Sequence, residues 1–367
     1  MFAPKEKPLP VAVLKPEPTK NTQLTEDAGI HLGEGYYWNP ETLPNGHIVA
    51  IGASGSGKTQ TLKAIAHSLH TTYPDMQVIL LDFHGDQEIV GETCYPIHMA
   101  SPHGINPLVV NLDPEGGGSN LQAIQIAGIL KKSLRLGPNQ EGMLIEIIKT
   151  CYQGRGITQE KQETWSLEPP NFEDIQTQIQ ERIEDGCKES QKLNLKLAAT
   201  FEYGIFSRSQ PKFNEKLIRI DLSKLPTELR AIAAESLAWQ LMNQHRLMGE
   251  IQGRLPRTFL FIDEAKEMPK KEGSACDRII ADGRKYGLSL VVASQSERHL
   301  SADVIGNSST KIVLPVDQTE CSKVAKKFRF SEKKVASLTP LTALCRFGKD
   351  AELLEIQPYY QRIKDAK

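Results

Sequence analysis

The sequence has almost no net charge, no paired-cysteine motif and no long apolar run. Its 44 basic and 45 acidic side chains leave a formal charge of −1 over 367 residues. That excludes a global positive field drawing the chain onto nucleic acid, so any such contact needs a local patch. Six cysteines (Cys94, Cys151, Cys187, Cys276, Cys321 and Cys345) are scattered without a C-x-x-C pair. The spacing fits neither a disulfide frame nor a zinc site, and is that of reduced cytoplasmic thiols. No stretch approaches the ~18–20 apolar residues that cross a bilayer, and the first residues lack the apolar core of a secretory signal. No internal repeat is evident. What is present is 39% hydrophobic and 24% charged residues, a globular composition with room for one large α/β domain carrying an insertion, or for two domains.

The stretch that organises the chain is Gly52-Ala53-Ser54-Gly55-Ser56-Gly57-Lys58-Thr59, followed by Gln60. It fits the phosphate-loop pattern G-x-x-x-x-G-K-[ST]. Residues 47–51 before it read as a short buried strand, and residues 61–69 after it place apolar side chains at helical spacing. Glycines let backbone N–H groups curl around a polyphosphate where a Cβ would collide. The helix start adds unsatisfied N–H groups and partial positive charge. Lys58 is expected to reach the β- and γ-phosphates of ATP, and the Thr59 hydroxyl to ligate Mg²⁺.

Residues 1–30 hold repeated prolines and lysines and read as an extended or disordered tail. Residues 31–46, with Tyr36, Tyr37 and Trp38, form a turn-rich approach whose aromatics either flank a base or seal the sheet edge. Residues 76–82 form the next strand, ending at Asp82, which either holds water or Mg²⁺ or caps a helix. His84 beyond it reads as a structural histidine, since no second ligand stands at useful spacing. Residues 119–200 show helical but no strand patterning, with a third, polar helical stretch from 172 to 200. Strands return at 216–222 and 258–262, separated by a helix from about 226 to 249. The expected organisation is an α/β core of residues 31–118 and 201–367, with an all-helical insertion at 119–200.

The strand Thr258-Phe259-Leu260-Phe261-Ile262 runs into Asp263-Glu264. An apolar strand ending in two carboxylates is the partner a phosphate loop requires. Asp263 is expected to hold Mg²⁺ through water, and Glu264 to polarise the attacking water as general base. The two halves are expected to meet across adjoining strand tips. A further strand, residues 288–294, ends at Gln295, which is placed to sense the γ-phosphate from beside Glu264.

Four features together resemble the HerA/FtsK superfamily of ring-forming, DNA-pumping P-loop ATPases: the phosphate loop, the strand ending Asp82-Phe83-His84-Gly85, the run Phe261-Ile262-Asp263-Glu264-Ala265, and Gly283-Arg284-Lys285-Tyr286-Gly287 leading to Ala293-Ser294-Gln295. Gly104-Ile105-Asn106-Pro107-Leu108 and the helical insertion are similar to the conjugative type IV secretion branch. The resemblance implies a RecA-like P-loop NTPase core with a mostly parallel central sheet. It also implies a homo-oligomer, a hexameric ring, in which Arg284 (Arg278 as second choice) is presented to the neighbouring subunit's nucleotide. The residues at 357–367 are implied to lie across a neighbouring nucleotide site. The roughly 45 residues before the phosphate loop are too few for the extra N-terminal domains of those families.

DNA is the expected partner, with a nuclease, secretion or other processing protein beside it. Candidate phosphate contacts are Lys270-Lys271, Lys131-Lys132-Arg135, and the run Lys323, Lys326, Lys327, Arg329, Lys333 and Lys334. The near-neutral charge keeps an alternative open, an assembly or regulatory ATPase acting on protein partners. The pattern around Gly348-Lys349-Asp350 predicts a closing hairpin.

Overall fold

The near-continuous apolar runs become strands covered on both faces. The computed structural model describes residues 29–33, 35–269 and 273–365; the predicted N-terminal tail and the Lys270-Lys271 pair lie outside them, apart from the tail's last two positions. A hairpin of β1 (Ile30–Gly33) and β2 (Tyr36–Trp38) precedes the central strands β3 (Ile48–Ile51), β4 (Gln77–Asp82), β5 (Thr93–Pro96), β6 (Leu217–Asp221), β7 (Thr258–Ile262), β8 (Leu288–Ser294), β9 (Thr310–Val313), β10 (Thr342–Phe347) and β11 (Asp350–Glu355). These form one sheet in the order β11-β10-β9-β3-β8-β7-β4-β6-β5. From β5 across to β9 every pairing is parallel, and the β10–β11 hairpin closes one edge antiparallel. The fold is α/β with a mostly parallel sheet, as the strand patterning requires.

Alternation along each strand builds two cores. Val49, Ile51, Ile79, Leu81, Leu260, Ile262 and Val292 face one side; Ile48, Ala50, Val78, Leu80, Phe259, Phe261, Val291 and Ala293 face the other. A period of two sends neighbouring residues to opposite faces, so a strand buried on both sides must be apolar throughout. Helix α1 (Lys58–Thr72) covers the second face through Leu62, Ile65 and Leu69. The first face is covered by helices α2 (Ser119–Leu134), α3 (Pro138–Gly154), α4 (Phe172–Glu184), α5 (Lys188–Tyr203) and α6 (Thr227–Leu247). Leu144, Ile147, Ile175 and Leu193 of the 119–200 region belong to the same apolar cluster as the sheet.

Three expectations change and one narrows. The polar helix read from 172 to 200 is two helices, because the chain turns at Asp185-Gly186 and restarts at Lys188. The turn-rich approach at 31–46 contains a hairpin, and of the two readings of its aromatics Trp38 and Tyr36 take the one that seals the sheet: Trp38 donates its indole N–H to Thr310 Oγ1 at 2.8 Å, and Tyr36 stacks on Phe347. The helix before β8 contains a π-helical turn over Ile279–Gly283. Finally, β3 and β7 are not neighbours, since β8 stands between them.

Candidate active site

The phosphate loop is suspended from the strand tips beside it. Gly52 N–H donates to Ser294 O at 3.1 Å, Ala53 N–H to Pro315 O at 2.8 Å, and Leu341 N–H to Ser56 O at 3.0 Å. Gly57, at φ +98°, caps α1, and a Cβ there would lie 2.5 Å from Leu341 Cδ2. Gly55, at φ +77°, opens onto empty space, with nothing within 4 Å of where its Cβ would be. The loop is thus braced beneath and open above, as a backbone cradle for an anion must be.

Opposite the loop stand the acids that follow β7. Lys58 Nζ lies 3.7 Å from Glu264 Oε2. Glu264 is 1% exposed, and its other oxygen has no hydrogen-bond partner; nor does Asp263 Oδ1. Burial lowers the pKa of Lys58, with Glu264 and Asp263 acting in the opposite direction. Burial pushes the Asp263 carboxyl well above the usual range, and the nearby Asp82 and Asp86 carboxylates push it further. Gln87, itself buried, donates its side-chain amide to Asp263 Oδ2 at 3.4 Å and to Asp86 Oδ1 at 3.2 Å.

Asp82 is the post around which this wall is built. It is fully buried and accepts backbone N–H groups of His84, Gly85 and Gln87 at 3.1, 2.7 and 3.1 Å. Arg219 pairs with it at 3.1 Å and with Glu92 at 2.7 Å. Carboxylate oxygens of Asp82, Asp86 and Asp263 all lie within 4.8 Å of one another.

The loop and the acids Asp86, Asp263 and Glu264 line a cleft of about 470 Å³ with Ala53, Ser54, Gly55, Gly57, Lys58, Thr59, Gln60 and Gln295. Gln295 is exposed at its rim. Gly52 and Ser56 are buried and do not line the cleft, and Gln60 also accepts the Tyr360 N–H at 3.3 Å. Arg284 is not part of this cleft. It is exposed where the π turn leads into β8, at the sheet edge opposite the phosphate loop and beside the buried His47. Arg278 is exposed and paired with Asp282 at 2.8 Å. His84, read from sequence as structural, is exposed on the cleft wall. Asp86, Gln87 and Arg219 were not singled out by sequence; the polar run after β4 was the available signal for the first two.

The donors fit a nucleoside triphosphate with a divalent cation. Buried carboxylate oxygens without partners, crowded against two further acids, are the donor set a hard cation takes, and an open glycine cradle beside a lysine is what a polyphosphate takes.

The family model described as helicase HerA, central domain, matches residues 37–237. No curated protein matches the chain. Among solved structures, VirB4 of Thermoanaerobacter pseudethanolicus is similar at a TM-score of 0.75 and 17% identity, over 90% of this chain and 96% of that one. The bacterial conjugative coupling protein TrwBdeltaN70 is similar at 0.61 and 14%, over 90% and 89%. TrwB in complex with ADP and Mg²⁺ gives the same values. At these identities the likeness shows a shared fold, whereas the family model spans more than half of the sequence: the chain belongs to the HerA helicase central-domain family.

Proposed function

We propose that this protein is a ring-forming ATPase that couples ATP hydrolysis to the movement of DNA. The observation that carries the reading is the Lys58–Glu264 approach across a cleft walled by a glycine cradle and two buried acids, each with one oxygen left without a partner. Family membership and the fold shared with VirB4 and TrwB support it. The backbone of residues 52–60 and Lys58 grip the triphosphate, and the TrwB complex with ADP and Mg²⁺ supports that nucleotide and metal. Thr59 and Asp263 hold Mg²⁺, with Asp86 within reach; the ion supplies charge neutralisation on the phosphates. Glu264 takes the proton of the attacking water, and Gln295 senses the terminal phosphate from the rim.

Arg284 serves a neighbouring subunit's nucleotide in a homohexamer. Its place at the far sheet edge supports this, because it cannot reach the cleft of its own chain. An arginine in that role is worth ~10³–10⁵ in rate. Residues 31–118 and 201–367 form the motor core, and 119–200 the helical insertion. The segment from Tyr359 to Asp365 packs on α1 and β1 of its own chain, where Arg362 donates to Ser68 Oγ and Leu32 O; that docking does not support a place across a neighbouring nucleotide. Among the described residues no helix is long and apolar enough to cross a membrane.

The test is ATP turnover with and without single- and double-stranded DNA, alongside native mass with and without ATP. Turnover stimulated by DNA and falling steeply with salt, in a hexamer, is the expected result. Stimulation by a protein partner alone would replace DNA movement with the alternative function, an assembly or regulatory ATPase.

A further inference from the structure

At the sheet edge opposite the nucleotide cleft lies a larger pocket, of about 730 Å³. Strands β9 and β10 run antiparallel there, pairing Lys311 with Arg346. Five cations line it, Lys311, Lys327, Arg329, Arg346 and Lys349, and no carboxylate does. In a chain of net charge −1, such segregation is not a property of the surface as a whole. Lys327 pairs with the buried Glu297, which is not part of the lining; the other four have no carboxylate partner among the described residues.

Two of the cations are anchored. Arg346 donates to Arg329 O at 2.5 Å and Lys349 O at 3.4 Å, and its guanidinium lies 5.0 Å from the Phe330 ring centroid. Its Nε is buried with no partner. Lys311 donates to Ser308 O at 2.6 Å. Burial, and then Arg346 and Arg329, lower the Lys311 pKa, so like charges are crowded here at a cost that an anion would relieve. A second, smaller hollow shares Arg329 and Arg346 and adds Lys334, with one carboxylate, Glu352, in its lining. Across the two, Lys311, Arg329, Arg346, Lys349 and Lys334 form a stripe in which cations outnumber the single carboxylate.

We propose that this stripe is a second binding site, for the phosphodiester backbone of nucleic acid, built from Lys311, Arg329, Arg346 and Lys349 and extended by Lys334. It rests on the reading of the protein as a DNA motor and gives that reading a surface remote from the ATP cleft. A free phosphate shares the chemistry but fills only one hollow. A polymer with regularly spaced charges engages both, and cations without base-reading partners hold it irrespective of sequence.

The test uses the full chain and a fluorescein-labelled oligonucleotide, with anisotropy followed across a salt series. The double variant Arg329→Asn, Lys349→Gln keeps a side chain that tolerates the left-handed backbone of residue 329 (φ 59°). It should bind about tenfold more weakly, with a log K against log salt slope shallower by about two. Lys149→Gln, Lys192→Gln on the helical region removes equal charge and should leave the slope unchanged; thermal melting checks the fold of both. If the unchanged protein binds DNA and the pocket variant binds it with the same slope, the site is refuted while the motor reading stands. If the pocket variant loses only its calorimetric affinity for inorganic phosphate, the pocket serves a free anion and the proposal is wrong. If the unchanged protein binds no oligonucleotide, both fail.

Discussion

The Lys58 ammonium and the Glu264 carboxylate face each other at 3.7 Å, although 206 positions separate them in the sequence. The contact marks where a terminal phosphate and its attacking water would sit. Removing either group should therefore have different consequences. Glu264→Gln keeps the volume and should retain ATP analogue binding within a few-fold while turnover falls about 10²–10⁴-fold, the usual worth of a general base. Lys58→Ala should lose binding as well. Fluorescent-nucleotide titration beside single-turnover hydrolysis separates the two, and equal loss of binding in both variants would contradict the assignment of Glu264.

Gln87 acts at one remove. It ties Asp263 to Asp86 and touches no nucleotide-binding residue of the loop. Partners that orient a metal ligand typically matter 10–100-fold in metal affinity. Gln87→Ala should raise the Mg²⁺ concentration for half-maximal turnover about tenfold, with saturating Mg²⁺ restoring most of the rate. A purely structural role would lower the rate at every Mg²⁺ concentration.

Arg284→Ala should leave nucleotide binding and assembly intact while turnover falls by about 10³-fold or more. Hydrolysis rate measured beside native mass decides it. Unchanged turnover would return Arg284 to the role of a solvated helix-end cation.

His47 supplies a pH signature of the fold itself. Its ring accepts the Leu290 N–H at 3.0 Å, and burial, with Arg284 nearby, lowers its pKa from 6.5 to about 4. Because the folded value lies below the unfolded one, the stabilisation is fully present above pH 6.5 and is lost as pH falls toward 4. The span corresponds to about 3 kcal/mol at most. Urea unfolding at pH 8, 6 and 4.5 should show this decline, and His47→Gln should flatten it while lowering stability at pH 8.

The parts of the site legible in sequence are those carried by contiguous letters. Residues 52–59 and the Asp263-Glu264 pair each declare a strand, a turn and a charge together, so local patterning sufficed. Asp82 was visible as a strand-end acid, but its role was not. Whether it meets a metal or posts a loop depends on Arg219, which arrives from β6, far along the chain. Gln87 became meaningful only once β4 and β7 paired and brought Asp263 beside it. β5 and β9 have four residues each, as β3 has, but no phosphate-loop pattern follows them to mark the strand. The basic run at 323–334 was legible as charge, but the pocket was not. Lys311 and Arg346 meet through antiparallel register, which no local pattern encodes.

One strand joins the two ends of the molecule that the proposed ring would bring together. β8 begins just after Arg284 and the π turn, and it ends at Gln295 on the cleft rim. Its seven residues make a strut of about 23 Å, hydrogen-bonded along both sides to β3 and β7. A pull on the arginine end would reach the glutamine end through Gly287, at φ 76°, and then along the strand. Such a subunit would feel its neighbour's nucleotide through a single stiff beam lying between its own lysine and its own glutamate.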